Sequence, residues 1–331
     1  MPDVRSIPFN PAYEANRRES TMCTAIALTA GQHYLGRSLD LHASLGERVI
    51  LCPRRFPLAL RHLPILPHHH AFIGMAHVQD GFPLYYDAVS EHGLAMAALN
   101  FPHFCAYHDM HPSRKNLAPF ELIPYVLGTC KTLAKARAVL ESITLCDTAF
   151  SPECPNTPLH FILASPEGCL VIESMEDGLH VYDNPAGVMT NSPPFPFHMQ
   201  RLADFMGLTS EPPSNRFSPA LPLRAYSFGM GALGLPGDLS SSSRFVRAAF
   251  ARANSPDGEN DGENQLFHLL DFVSMPRGCV RLEDGRLEYT VYTSCMNLET
   301  GIYYYKTYEN SAVRSASLSG DLDGTDLTGC T

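Results

Sequence analysis

The chain has 331 residues, 45% hydrophobic and 18% charged, enough for one large core and at most two domains. Its 24 basic residues face 34 acidic ones, a net charge of −10, which argues against nucleic acid and anionic membrane surfaces as partners. No apolar run reaches the roughly 18 residues of a membrane-spanning helix, and the ten cysteines contain no Cys-x-x-Cys, which excludes a zinc ribbon or a thioredoxin motif and fits a reducing, cytoplasmic setting.

Residues 1–21 are polar and irregular, with Pro2, Pro8 and Pro11, and Arg5, Arg17 and Arg18 balance Asp3, Glu14 and Glu19. They lack the apolar centre of a secretory signal. Residues 1–22 are expected to be a leader, a propeptide or sequence upstream of a misassigned start, and residues 23–331 a single domain. Thr24 to Leu28 is an apolar run of strand length, Ala30-Gly31-Gln32 a turn, and His33 to Leu39 a return strand. Such a hairpin brings Cys23, Arg37 and Asp40 to one end.

Glu47 to Cys52 reads as a strand and Pro53 to Pro67 as a loop. His68, His69 and His70 invite a metal reading, but adjacent residues do not all face one ion, and a solvated loop is expected. Ala71 to His77, Pro83 to Ser90 and Gly93 to Asn100 read as strands, stopped by Pro102, which has no N–H for a ladder. Ala118 to Leu127 and Thr132 to Ile143 are predicted helices between two loops, Phe104 to Leu117 and Thr144 to Pro158. Leu159 to Ala164, Cys169 to Ser174 and Leu179 to Tyr182 form a meander, and Gly187 to Asn191 a fourth short strand that delivers Asn191.

Phe195 to Gly207 is predicted helical and Thr209 to Pro222 is a Pro/Ser-rich excursion. Gly229 to Asp238 is a Gly-rich turn without the Lys-Ser/Thr of a phosphate loop. Ser240 to Ser243 can cap a helix carrying Arg244, Phe245 and Ala249. After an acidic linker, Asn254 to Glu263, come a helix, Gln265 to Val273, and a hairpin of Tyr289 to Leu298 with Gly301 to Tyr308. The tail from Ser311 is expected to be at best partly ordered. Strands, two helices, strands, two helices and strands suggest an α+β fold of stacked sheets covered by helices.

Met22 gives Cys23 its chemical meaning. If Cys23 becomes N-terminal, one residue carries a thiol and a free α-amine, with ordinary pKa values of about 8.5 and about 7.7–8.0. The amine can then take the thiol proton near neutral pH, and a nearby Arg favours the thiolate. The plain alternatives are a buried small hydrophobe for Cys23, a surface pair for Arg37 and Asp40, turn formers for Asn100 and Asn191, and a solvent-facing Arg244.

Six motifs act together: Met22-Cys23-Thr24; Gly36-Arg37-Ser38-Leu39-Asp40; Leu99-Asn100-Phe101-Pro102; Thr190-Asn191-Ser192-Pro193; Gly234-Leu235-Pro236-Gly237-Asp238 with Ser243-Arg244-Phe245; and Tyr292-Thr293-Ser294-Cys295. In order and spacing the chain resembles the choloylglycine (bile-salt) hydrolases, a branch of the N-terminal nucleophile hydrolases that also holds penicillin V acylases. The resemblance implies a four-layer αββα sandwich of two mainly antiparallel sheets, and hydrolysis of a linear amide without a cofactor. It implies Cys23 as nucleophile with its α-amine as base, Asp40 holding that amine, Arg37 and Arg244 as cations flanking the thiol, and Asn191 and Asn100 as oxyanion and substrate-orienting groups. It also implies a homotetramer.

Asn at position 100 points to glycine- or taurine-conjugated bile salts, because penicillin V members tend to carry Tyr there. Leu41, Phe82 and Phe101 are the expected lining of an apolar substrate pocket. The alternatives are an acylase acting on penicillin V or N-acyl homoserine lactones, and an inactive binding member whose Cys23 stays internal.

Overall fold

The computed structural model describes residues 21–256 and 261–330. The leader reading therefore falls largely outside the described residues, which include only Thr21 and Met22 of that segment. The first two strands, β1 (Met22–Ala30) and β2 (Gln32–Leu41), form the expected hairpin. Gly31 turns it at φ 67°, a left-handed conformation that suits glycine. Cys23 pairs with Leu39 and Met22 with Asp40, so the open end of the hairpin carries both the thiol and the carboxylate.

Next come β3 (Arg48–Cys52), β4 (Phe72–Gln79), β5 (Phe82–Ser90) and β6 (Ala95–Asn100), then β7 (Lys115–Leu117), helices α1 (Leu122–Thr129) and α2 (Leu133–Leu140), and β8 (Ile143–Leu145). The meander is β9 (Leu159–Ser165), β10 (Gly168–Met175) and β11 (Gly178–Asp183), followed by β12 (Val188–Met189) and α3 (Phe195–Arg201). The chain closes with α4 (Ser241–Ala253), α5 (Gly262–Asp271), β13 (Val280–Arg281), β14 (Leu287–Asn297), β15 (Ile302–Thr307), β16 (Arg314–Ser317) and β17 (Thr328–Cys330).

The first sheet runs β12-β1-β2-β14-β15-β16, with β13 on β14, and the second runs β11-β10-β9-β6-β5-β4-β3-β17. Helices α4 and α5 cover the first sheet and α1 covers the second, giving the αββα order. One apolar core fills the space between the sheets and under α4 and α5, including Cys23, Ile26, Leu35, Val89, Ile162, Phe245 and Leu266. A second lies between the second sheet and α1–α2, with Phe72, Met96, Val126 and Phe161. Gly36 sets the approach of α5. A Cβ there would sit 2.6 Å from the Ser294 carbonyl oxygen and 2.8 Å from Leu266.

Two expectations change. The segment after Ser311 supplies an edge strand to each sheet, β16 to the first and β17 to the second. Its polar character reflects edge positions, where one strand face meets solvent. The loops around Lys115 and Ile143 contain β7 and β8, a short parallel pair that local pattern does not reveal because its partners lie far apart in sequence.

Candidate active site

Cys23 is buried at the start of β1, and the Arg37 guanidinium donates to its Sγ at 2.7 Å. Arg37 is itself fully buried. Burial works against its charge, but Cys23, Tyr292, Asp87 and Asp40 outweigh this and raise its pKa. Asp87 on β5 lies 3.9 Å away across the two sheets, accepting from Tyr292 at 2.6 Å and Tyr303 at 2.5 Å. Burial pushes the Cys23 thiol up, with Arg37 and Arg244 pulling it back.

Asn191 arrives by a change of sheet. After β11, at the edge of the second sheet, the chain turns at Asn184–Gly187 and pairs as β12 with β1 of the first sheet. Asn191 Oδ1 accepts the Cys23 N–H at 2.9 Å and Arg244 Nη2 at 2.7 Å, and its Nδ2 donates to Asn100 O at 2.7 Å. These partners fix which end of the amide is oxygen. Arg244, on α4, also donates to Cys23 O and Thr24 Oγ1, each at 2.6 Å. Burial lowers its pKa, opposed by Asp40 and Cys23.

The 190–191 turn is held from behind. Ser241 Oγ accepts the Asn191 N–H at 2.9 Å, His198 Nε2 donates to Asn191 O at 2.8 Å, and His160 meets Thr190 O at 2.9 Å. His198 is stacked on Phe245 with ring centroids 4.8 Å apart, and burial pushes its pKa down to about 4, so it donates as neutral imidazole.

Asp40 is fully buried, accepting from Thr290 at 2.6 Å and Ser38 at 3.2 Å. Burial raises its pKa, against Arg244. The Cys23 N–H itself donates to Asn191, not to Asp40. Two residues before Thr290's neighbour Val291 along β14 stands Tyr289, and before it Glu288, fully buried, whose Oε1 accepts the Met22 N–H in a short contact. Asn100 Nδ2 donates to Thr21 O at 3.1 Å.

Cys23, Arg37, Asp40, Asn100, Asn191 and Arg244 are thus brought into one linked set. The pocket residues divide. Leu41 shares the core of Cys23, and Phe101 stacks on His160 with centroids 4.5 Å apart, behind the Asn191 turn. Phe82 packs instead with Phe120 and Phe150 in the other core. Its early position on β5 turns it to the helix side, which the sequence alone does not distinguish. Asp87, His198, Glu288 and Thr290 are site residues that the sequence reading missed. The available signal was an acid inside an otherwise apolar strand, at Asp87 and again at Glu288.

Among the histidines expected in a solvated loop, His69 is buried, and His70 Nδ1 lies 3.1 Å from His92 Nε2. With Glu91 these bring three metal-type donor atoms within 4.8 Å of one another. The Glu91 carboxylate is taken up by Arg54, at 2.5 to 3.1 Å, and by the Ala71 N–H at 2.9 Å, an arrangement that opposes a cation.

No helix among the described residues is long and apolar enough to cross a membrane. The profile of the linear amide C-N hydrolases, choloylglycine hydrolase family, matches residues 23–329. A bile salt hydrolase/transferase from Lactiplantibacillus plantarum is 42% identical over 309 residues, covering 92% of this chain and 95% of that one. One from Clostridium perfringens is 34% identical over 315 residues, with coverage of 92% and 95%. A crystal structure of a conjugated bile acid hydrolase variant from Clostridium perfringens superposes with a TM-score of 0.87 at 33% identity, covering 93% of this chain and 96% of that one. Penicillin V acylase from Agrobacterium tumefaciens shares the fold at TM-score 0.72 and 20% identity, with coverage of 92% and 90%. The chain belongs to the choloylglycine hydrolase family of linear amide C-N hydrolases.

Proposed function

We propose that the protein hydrolyses the amide bond of glycine- or taurine-conjugated bile salts, with Cys23 as an N-terminal nucleophile. The observation that carries the reading is the junction of Cys23 with Arg37, Arg244 and Asn191 at the open end of β1. The relatives named for bile salts support the substrate.

The steps follow from the residues. The free α-amine of Cys23 takes the thiol proton, and Arg37 stabilises the thiolate. The thiolate forms a C–S bond to the amide carbon, and the carbonyl electron pair moves to oxygen. One N–H of Asn191 is committed to Asn100 O and the other meets the oxyanion, a contribution of about 2.7–4 kcal/mol for such a donor. The C–N bond then breaks, and the protonated α-amine gives its proton to the departing glycine or taurine. Water adds to the thioester, losing a proton to the amine, and the C–S bond breaks to return the thiol. An amine in place of water gives amide exchange, in keeping with the hydrolase/transferase relatives.

In this reading Asp40 orients the amine, Asn100 orients the substrate amide, Leu41 contributes to its apolar surroundings, and Phe101 backs the Asn191 turn through His160. A cytoplasmic, reducing setting suits a nucleophile that must stay a thiol. A homotetramer belongs to the same reading. It is supported by the stretch from Phe217 to Phe228, which leaves Phe217 at 83%, Tyr226 at 86% and Phe228 at 95% exposure, apolar surface suited to a second copy.

Purified protein is incubated with glycocholate, taurocholate and penicillin V, and its first residue is read by intact mass. Release of glycine or taurine by a chain beginning at Cys23, lost in Cys23→Ser with the fold retained, is expected. Turnover by a chain whose residue 23 is still peptide-linked to Met22 refutes the mechanism, and fast penicillin V cleavage without bile-salt cleavage refutes the substrate.

A further inference from the structure

Thr21 O and Met22 N–H are the two ends of one peptide group. Asn100 Nδ2 donates to that oxygen at 3.1 Å, and Glu288 Oε1 accepts that N–H. A single secondary amide, one residue away from the nucleophile, is therefore gripped at both ends by side chains of the domain. Asn100 comes from the end of β6 in the second sheet and Glu288 from β14 in the first, so the grip spans the gap between the sheets.

Glu288 has no other assigned work. It is fully buried, its Oε2 has no hydrogen-bond partner, and Oε1 has only the backbone of Met22. A buried carboxyl left without a partner has lost its hydration with nothing in return. With residue 22 gone from the working enzyme, Oε1 loses the one hydrogen-bond donor that the described residues give it. Burial pushes this carboxyl up to about 8, with the Met22 N–H opposing and Asp40 adding to the rise. Protonated or not, the carboxyl keeps an oxygen that accepts an N–H.

We infer that Glu288 and Asn100 form an amide-reading pair, in which Glu288 accepts the N–H of the substrate's scissile amide while Asn100 faces its carbonyl oxygen. The leader peptide group occupies the place of the substrate's amide in this structure. Glu288 is thereby a specificity residue. It separates amides from oxygen esters of the same shape, because an ester offers no N–H and leaves the buried carboxyl unpaired. Holding the N–H also turns the nitrogen lone pair away from Glu288, towards the group that must protonate it.

This rests on the reading of Cys23 as the N-terminal residue, and the experiment separates the two. A Cys23→Ala chain starting at residue 23 is titrated calorimetrically with cholylglycine and with the matching cholate ester of glycolic acid, so no turnover is needed. The amide is expected to bind at least tenfold more tightly than the ester. Adding Glu288→Ala abolishes that preference, and Glu288→Gln, which keeps an acceptor oxygen, retains most of it. Equal affinity for amide and ester, a preference that survives Glu288→Ala, or no binding of either probe overturns the proposal. Hydrolysis by the unmutated enzyme, with its first residue confirmed by mass, is measured in parallel, and its absence counts against the hydrolase reading alone.

Discussion

Arg37 and Asp87 face each other across the gap between the two sheets, 3.9 Å apart and both fully buried. Arg37 projects from β2 onto the Cys23 sulfur, while Asp87 on β5 is capped by the hydroxyls of Tyr292 and Tyr303. The pair links the two sheets beside the nucleophile. It also supplies the charge that lets a guanidinium stay in an apolar core.

Removing Asp87 leaves that guanidinium uncompensated. Asp87→Ala is expected to lose about 3–5 kcal/mol of stability, read from the urea midpoint, because one member of a buried pair is removed and two tyrosine hydroxyls lose their acceptor. A loss under about 1 kcal/mol would mean that solvent reaches Arg37.

Asn191 joins the Cys23 nitrogen, Arg244 and Asn100 through one amide. Asn191→Ala should lower kcat by about 10²–10³-fold, the usual effect of losing one oxyanion donor. Alkylation of Cys23 by iodoacetamide should continue, since the Arg37 contact remains. An unchanged kcat would remove Asn191 from the reaction.

Glu288 gives stability a pH dependence in the chain that retains Met22. Its folded pKa of about 8 lies above the ordinary 4.5, so the folded state holds this proton more tightly than the unfolded state. The stability carried by that proton is full below about 4.5 and is lost as pH rises to about 8. Glu288→Gln, which does not titrate, should gain on wild type across this window by at most about 1.4 kcal/mol per unit. Urea unfolding at pH 5 and pH 8 measures it, and a constant difference between the two proteins would contradict it.

Gly36 lies under α5, and an added Cβ would press on the Ser294 carbonyl and on Leu266 and Leu270. Gly36→Ala should destabilise the protein by about 1–3 kcal/mol through overpacking. Because Arg37 follows directly, activity should fall with it. A variant of wild-type stability would show that the helix moves freely from the sheet.

The sequence by itself determined the local pieces: alternating apolar strands, the β1–β2 hairpin with its glycine turn, the meander and the helices. The hairpin carried Cys23, Arg37 and Asp40 together, because their meeting depends only on a nine-residue strand, a tight turn and its register. The motif set extended this to Asn100, Asn191 and Arg244.

Only the tertiary structure decided the rest. Which face of β5 looks at the nucleophile placed Asp87 at the site and Phe82 in the other core, and a period of two does not say which sheet face is which. The crossing of β12 from one sheet to the other put Asn191 against the Cys23 nitrogen, and no local pattern encodes such a change of partner. The same holds for Glu288 and Met22, 266 positions apart. Their contact exists because β1 and β14 flank β2 in one sheet, and long-range pairing is a property of the assembled sheet rather than of either segment.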